Sequence, residues 1–134
     1  MRLLFAGTPD FAVPTLRKLA LYGQVVAVLT APNRPSGRGK RLTPSPVAQE
    51  AEARGIPVLK PQRLNAEARA AVSRVEPDLL VCVAYGRIFG PRFLSLFPRG
   101  GINLHPSLLP KYRGPAPIPA AILAGDAQTG ITVQ

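Results

Sequence analysis

The chain has 134 residues, a length typical of one domain, and 46% of them are hydrophobic. Because the apolar residues fall in short runs rather than being diluted by charge, a disordered chain is excluded and a globular domain with a buried core is expected. Lys and Arg number 17 against 7 Asp and Glu, a formal net charge of +10, which fits a polyanionic partner such as nucleic acid and equally an arginine-rich genome.

Cysteine and histidine each occur once, as Cys82 and His105. One cysteine cannot form an intrachain disulfide, so a cytoplasmic location fits, and one Cys with one His cannot make a metal cluster. Within "LLVCVAY", Cys82 is expected to be a buried, inert strand residue. The N-terminal apolar run is too short for a signal peptide, and no segment approaches the ~20 apolar residues of a membrane helix.

Short apolar runs alternate with longer amphipathic stretches along the chain. In chain order the pattern predicts strand 2–6, helix 10–23, strand 24–30, a long loop, helix 45–55, strand 56–60, helix 65–76, strand 77–86, strand 101–105, helix 116–125 and strand 129–134. For the first helix, Asp10 is a possible N-cap, Pro14 suits the first turn and Gly23 a terminator. Asn65 is the expected cap of the third helix.

Six strands separated by helices of this length predict right-handed βαβ units and an α/β fold with a doubly wound, mainly parallel sheet. In such sheets the active crevice lies beyond the carboxyl ends of the strands. Four segments follow strand ends, at residues 7–10, 30–46, 85–90 and 103 onward. The first, "AGTPDFA", has one glycine rather than three, which excludes a dinucleotide cofactor.

The second segment is a Pro-, Gly- and Ser-rich loop with four cations, Arg34, Arg38, Lys40 and Arg41. Guanidinium groups bind phosphate in bidentate fashion, and long loops in compact domains are often functional, so a phosphate-binding loop and a solvated mobile loop are both open. Its "GRGK" lacks the glycine spacing of a P-loop. The third segment, "AYGRIFGP", is suited either to a pocket for a flat heterocycle, through Tyr85, Ile88 and Phe89, or to core packing.

Asn103 and His105 lie two apart on the strand "GINLH", so their side chains should project from one face at its carboxyl end. An amide donor beside an imidazole can stabilise the oxygen of a tetrahedral intermediate, while a strand-end histidine can also be a structural hydrogen-bonding residue. Ser107 has no evident base, so the attacking group is expected to belong to the substrate.

The stretch "NLHPSLLPKYRGPAPI" resembles the signature of folate-dependent formyltransferases, and "FAGTPDFAVPTL" and "PNRPSGRGKRLTPSPV" are similar to the N-terminal part of methionyl-tRNA formyltransferases. The resemblance runs from Leu3 to Gln134 and implies a Rossmann-like formyltransferase fold. It implies transfer of a formyl group from 10-formyltetrahydrofolate to the α-amino group of methionine on initiator tRNA, in a cytoplasmic, non-membrane monomer without a metal.

By the same resemblance, Asn103 and His105 are the catalytic residues that stabilise the oxyanion. The tRNA-binding residues are Arg34, Arg38, Lys40 and Arg41, with Arg38 the most important. The folate-binding residues are Tyr85, Gly86, Ile88, Phe89, Ser107, Leu108, Leu109 and Pro110.

One departure is that the family's third catalytic residue, an aspartate, lies beyond Gln134, and Asp126 matches a different position. Residues 1–134 are therefore expected to be a truncated part of the catalytic domain, weak or inactive alone and without the family's C-terminal β-barrel, with an exposed last strand prone to self-association. Two alternatives stay open: a formyltransferase for an amino sugar or nucleotide amine, and a non-catalytic folate- or RNA-binding module.

Overall fold

A computed structural model of the protein describes all residues, 1–134. Its strands are β1 (Arg2–Gly7), β2 (Gln24–Leu29), β3 (Arg34–Ser36), β4 (Arg41–Thr43), β5 (Val58–Leu59), β6 (Leu79–Val83), β7 (Gly101–His105) and β8 (Thr132–Val133). Its helices are α1 (Val13–Tyr22), α2 (Pro46–Ala53), α3 (Ala66–Arg74), α4 (Pro91–Leu94) and α5 (Pro117–Leu123). All six predicted strands are present, although β5 and β8 are only two residues long.

Six strands form one sheet in the order β5-β2-β1-β6-β7-β8. The chain builds outward from β1 through β2 to β5, then crosses back to add β6 and β7 on the other side of β1. Every pair in this sheet is parallel except β7 with β8, which is antiparallel. The predicted doubly wound, mainly parallel sheet is confirmed, and its topological switch point lies between β1 and β6.

The core consists of two hydrophobic clusters, one on each face of the sheet. In β1, Leu3 and Phe5 belong to one cluster and Leu4 and Ala6 to the other. Because successive strand side chains point to opposite faces, a strand covered on both sides has to be apolar throughout. This explains the uninterrupted apolar run at the N-terminus.

The helix-capping predictions have mixed outcomes. The Asn65 side chain accepts a hydrogen bond from Ala68 N at 3.0 Å, so the predicted cap of α3 is confirmed. The prediction that Asp10 caps the first helix is wrong. One turn of 3₁₀ helix, Asp10–Ala12, precedes α1, and neither this turn nor α1 has a side-chain cap.

The predicted long loop at 30–46 contains an antiparallel hairpin of β3 and β4, here called the basic hairpin (residues 34–43). Its strands are short and mostly exposed, and Ser36 Oγ donates to Thr43 Oγ1 at 2.6 Å. The sequence pattern gave no sign of these strands because they bury almost no apolar side chain, and periodicity detects burial. Their exposure also explains why proline could be tolerated in β3.

The sheet ends on β8, whose outer edge pairs with no other strand. In α5, Ile122 and Leu123 are exposed, at 72% and 88%. No helix has both the length and the apolar character needed to cross a membrane.

Gly7 ends β1 at a point where backbone and side chains from other elements approach closely. A Cβ at this position would lie 2.7 Å from Val83 O and 2.9 Å from Ala12 Cβ. Gly7→Ala should therefore lower the free energy of unfolding by about 1–3 kcal/mol, the usual cost of overpacking. Gly101→Ala is the matched control, because its Cβ would meet Leu80 at 3.4 Å or more, and its expected change is within about 0.5 kcal/mol. Equal losses in chemical denaturation would contradict this account.

Candidate active site

The carboxyl ends of three strands are joined by Thr8, directly after β1. Its Oγ1 donates to Tyr85 O beyond β6 and accepts from Ala31 N beyond β2, both at 3.3 Å. The Thr8 hydroxyl thus links the ends of β1, β2 and β6 at the switch point of the sheet. No role was predicted for Thr8 from the sequence, although a hydroxyl residue directly after the first strand was an available signal.

Asn103 and His105 occupy one face of β7, as predicted from their spacing. Asn103 pairs in register with Cys82 of β6. Cys82 packs against the cluster that contains Leu80 and Phe93, so the two candidate catalytic residues share that side of the sheet. Both side chains are partly exposed rather than enclosed in the core.

The Asn103 side chain lines a cavity of about 580 Å³, here called the Asn103 cavity. Its backbone N–H and C=O are both bonded to Gln134, at 2.7 and 2.9 Å. Its side-chain amide makes no hydrogen bond within the protein and lies at this cavity. The other walls include Cys82 and the loop residues Arg87, Ile88 and Phe89. The structure thus brings Asn103 together with part of the predicted folate-binding segment.

His105 lines a neighbouring cavity of about 510 Å³, here called the His105 cavity, which shares Gln134 with the first. Its other walls include Leu109, Pro110 and Arg113. The Nε2 atom lies 2.8 Å from Tyr112 O. Because a carbonyl oxygen only accepts, Nε2 carries the hydrogen and donates it, which leaves Nδ1 as the ring nitrogen available for chemistry.

In the loop after β6, one predicted folate-binding residue is buried in the core, whereas the others are exposed or partly exposed. Ile88 is 94% exposed, and Phe89 stacks on Tyr85 with ring centroids 5.3 Å apart. Tyr85 itself is buried in the core cluster and lines neither cavity. Burial raises the pKa of the Tyr85 phenol. Gly86 has a φ of +92°, which allows the sharp turn between the buried and exposed parts of the loop.

Cys82 is half-buried rather than fully buried, because its position on β6 faces the Asn103 cavity. Burial raises the pKa of its thiol above the ordinary value. A raised pKa disfavours the reactive thiolate, which is consistent with the predicted inert role.

The signature segment after His105 is shaped mainly by its own hydrogen bonds. Ser107 is fully buried and donates from Oγ to Lys111 O at 2.6 Å, so its hydroxyl supports the loop. Leu109 and Pro110 line the His105 cavity. Leu108 is half-exposed and lies against Gly130, where a Cβ would come within 2.6 Å of its side chain. Of the four predicted residues, Leu109 and Pro110 are therefore the best placed for ligand contact.

The four predicted tRNA-binding cations all lie on the basic hairpin. Arg34 lies on β3, Arg41 on β4, and Arg38 and Lys40 in the turn between them. Each is exposed, and none forms an ion pair within the protein. The hairpin follows β2 at the carboxyl edge of the sheet, so its positive charge lies on the same edge as the two cavities.

Asp126 has a structural role that the sequence did not reveal. Its Oδ2 accepts a hydrogen bond from Tyr112 OH at 2.6 Å and lies 3.4 Å from Lys111 Nζ. The hydrogen bond from Tyr112 holds the pKa of Asp126 below its ordinary value, and the same bond raises the pKa of Tyr112. Elsewhere, no group of three or more His, Cys, Asp or Glu residues is placed to hold a metal ion.

The mainly parallel sheet, the side chains of Asn103 and His105 on one face of β7 and the loop that follows together define a class of protein. A family described as formyl transferase matches residues 1–134, and the chain belongs to that family.

Its relatives include proteins named methionyl-tRNA formyltransferase. The chain is 53% identical to the one from Treponema pallidum (strain Nichols) over 142 residues, which covers 100% of this chain and 44% of the relative. It is 57% identical to the one from Xanthomonas euvesicatoria pv. vesicatoria over 132 residues, covering 98% and 43%. The chain thus spans less than half the length of these relatives.

Among solved structures, the fold is similar to phosphoribosylglycinamide formyltransferase from Bacillus halodurans. The TM-score is 0.78 at 21% identity, covering 100% of this chain and 71% of that one. A formyltetrahydrofolate deformylase from Pseudomonas syringae matches with a TM-score of 0.68 at 21% identity, covering 98% and 44%. At such identities the likeness concerns the fold.

The Tyr112–Asp126 hydrogen bond should stabilise the protein only between two pH limits. The lowered pKa of Asp126 gives stability that is present above the ordinary carboxyl value of about 4 and lost as pH falls through the folded-state value. The raised pKa of Tyr112 gives stability that is present below about 10 and lost as pH rises through its folded-state value.

We therefore expect Tyr112→Phe to lower the free energy of unfolding near neutral pH, with the difference from wild type shrinking at both extremes. Denaturant titrations across the pH range measure it. Tyr22→Phe is the matched control, because Tyr22 is 86% exposed and should show a small difference at every pH. A Tyr112→Phe difference that stays constant with pH would contradict the proposed bond.

Proposed function

We propose that this chain provides formyl-transfer machinery that moves a formyl group from 10-formyltetrahydrofolate to the α-amino group of methionine on initiator tRNA. The observation that carries the proposal is the placement of Asn103 and His105 on one face of β7, each lining a cavity at the carboxyl edge of the sheet. The 53% identity to a protein named methionyl-tRNA formyltransferase supports the choice of substrates.

Asn103 is the uncharged donor of the proposed site. Its amide N–H can donate to the formyl oxygen, where negative charge develops as the amine attacks. Since an amide does not titrate, this donation is available at any physiological pH. Its strand backbone is fixed by two hydrogen bonds to Gln134, so the donor needs little reorganisation during the reaction.

His105 offers a single reactive nitrogen, because Nε2–H is committed to Tyr112 O. As neutral imidazole, Nδ1 can accept the proton that the attacking amine loses. As imidazolium, Nδ1–H can donate to the same oxygen that Asn103 contacts. As the C–N10 bond of the donor breaks, Nδ1 can pass that proton to N10 of the departing tetrahydrofolate, while the hydrogen bond at Nε2 keeps the ring in place.

The Asn103 cavity suits the pterin end of the formyl donor. Its volume of about 580 Å³ is typical of small-molecule sites, and its walls combine apolar groups with the Arg87 guanidinium. Ile88 and Phe89 provide apolar surface, and the turn at Gly86 leaves backbone groups available for hydrogen bonds. Leu109 and Pro110 would contact the donor beside His105. The co-substrate supplies the activated formyl group.

The basic hairpin supports a nucleic-acid acceptor over a small amine. An enzyme for an amino sugar or nucleotide amine has no need of four exposed cations, and in such an enzyme we expect this segment to pack on the protein surface. Here Arg34, Arg38, Lys40 and Arg41 are exposed and free of ion pairs. Such groups can bind the phosphates of an acceptor stem. Because translation takes place in the cytoplasm, the proposed function implies a cytoplasmic location.

Replacement of either candidate catalytic residue should impair turnover. In the complete gene product, Asn103→Ala and His105→Ala should each lower kcat for Met-tRNA formylation by about 10²–10³-fold, the usual cost of losing one oxyanion donor. Gln62→Ala, which removes an exposed amide away from both cavities, is the control and should retain wild-type turnover. Wild-type kcat in both site variants would exclude these residues, and single-turnover inactivity of the unmodified protein would support a non-catalytic binding module.

Replacement of Arg38 should affect the acceptor selectively. Arg38→Ala should weaken tRNA binding and lower the salt dependence of log Kd by about one unit, because one phosphate contact is lost, while folate binding stays unchanged. Arg74→Ala is the matched control, since Arg74 is an exposed cation at the end of α3. Equal weakening of tRNA and folate binding would instead indicate damaged folding. Competition with small amines tests the alternative acceptors directly.

A further inference from the structure

The loop that connects β7 to α5 (residues 106–116) is held by later parts of the chain. Thr132 on β8 donates from Oγ1 to Ser107 O at 2.7 Å and accepts from Leu109 N at 3.1 Å. β8 itself pairs Thr132 with His105. The start of the loop is therefore fixed to the sheet. The part that contacts the imidazole, at Tyr112, lies further along and needs another support.

Tyr112 adopts a backbone conformation that side-chain-bearing residues rarely use. Its φ is +56°, in the left-handed region that favours glycine. In this conformation its carbonyl oxygen lies 2.8 Å from His105 Nε2. The imidazole thus depends on a peptide group whose conformation is intrinsically unfavourable, and contacts elsewhere have to maintain it.

Asp126 supplies such a contact. The carboxylate accepts from Tyr112 OH at 2.6 Å and attracts Lys111 Nζ at 3.4 Å. Asp126 is itself anchored, because its backbone N–H donates to Ala121 O of α5 at 3.1 Å. Gly125, with a φ of +71°, makes the turn that ends α5 just before it. A continuous set of bonds therefore runs from α5 through the Asp126 side chain and Tyr112 to the candidate catalytic ring.

We propose that Asp126 and Tyr112 are positioning residues for His105. The carboxylate holds Tyr112 in its left-handed conformation, the Tyr112 carbonyl holds Nε2–H, and Nδ1 is thereby kept as the reactive nitrogen. The catalytic part of this proposal rests on the proposed formyl transfer, whereas the orientation of the ring does not. Asp126 touches no reacting atom in this arrangement.

Because His105 is the only histidine of the chain, its imidazole can be observed alone by ¹H–¹⁵N NMR of histidine-labelled protein. The wild-type spectrum should show the Nε2–H tautomer with a proton that exchanges slowly with water. Asp126→Ala should accelerate that exchange by about tenfold or more, because local opening exposes the N–H. Asp126→Asn, which retains an acceptor, should restore part of the protection.

Two further variants separate positioning from general loss of structure. Tyr112→Phe keeps the ring and removes only the hydroxyl, so it tests the same bond if Asp126→Ala fails to fold. Asp78→Ala is the matched control, because Asp78 accepts from Arg2 N at 2.7 Å at the opposite end of the sheet. Wild-type protection of the His105 N–H in both Asp126→Ala and Tyr112→Phe would overturn the proposal.

Kinetics test the catalytic consequence. In the complete gene product, Asp126→Ala should lower kcat by about 10–100-fold with little change in KM for Met-tRNA, since misplacement of a catalytic group affects the chemical step. In a His105→Ala background the same change should cost nothing further, because the group that it positions is already gone. An equal loss in both backgrounds would overturn the positioning role. Absence of formylation by the wild-type protein would refute the proposed function while leaving the NMR test of ring orientation valid.

Discussion

The parallel pairing of β6 with β7 is the constraint on which the site depends. Cys82 stands beside Asn103 in the register, so the two strands end together and send their following loops over the same edge of the sheet. The loop at 84–90 and the side chain of Asn103 consequently share one cavity. If β7 ran antiparallel to β6, the loop after β6 and the Asn103 amide would lie at opposite ends of the sheet. The side chains of β6 are apolar and contribute to the hydrophobic clusters on both faces of the sheet. Their burial stabilises the pairing of β6 with β7.

Charge and chemistry are separated along one edge of the protein. The basic hairpin follows β2, and the two cavities lie beside β7, so the exposed positive charge and the proposed reaction centre are on different strands of the same carboxyl edge. Thr8, between them, ties together the strand ends at the switch point. Under the proposed function, a large substrate would be held by phosphate contacts at the hairpin and would react beside β7, with the sheet fixing the distance between the two positions.

The fold and the common face of Asn103 and His105 on β7 follow from local patterns. The features that could not be predicted have physical causes. Alternation of strands and helices identified the sheet because buried strands must be apolar. The basic hairpin escaped detection because its strands are exposed and leave no periodic signal. Tyr85 and Ser107 both lie in segments assigned to folate binding, yet one is part of the core and the other supports its own loop. Residue type and position in a motif do not distinguish a side chain that faces a ligand from one that faces the protein.

The sequence by itself determined the order of elements, the parallel sheet, and the spacing that puts Asn103 and His105 on one face. These features depend on periodicities of two and 3.6 residues, which are visible in the sequence itself. Tertiary structure alone decided which imidazole nitrogen is committed and what holds it. The bonds from Asp126 to Tyr112 and from Tyr112 to His105 join the turn after α5, the loop after β7 and the end of β7 itself. These bonds require the three parts of the chain to be brought together by the tertiary fold, and no local pattern encodes such a contact.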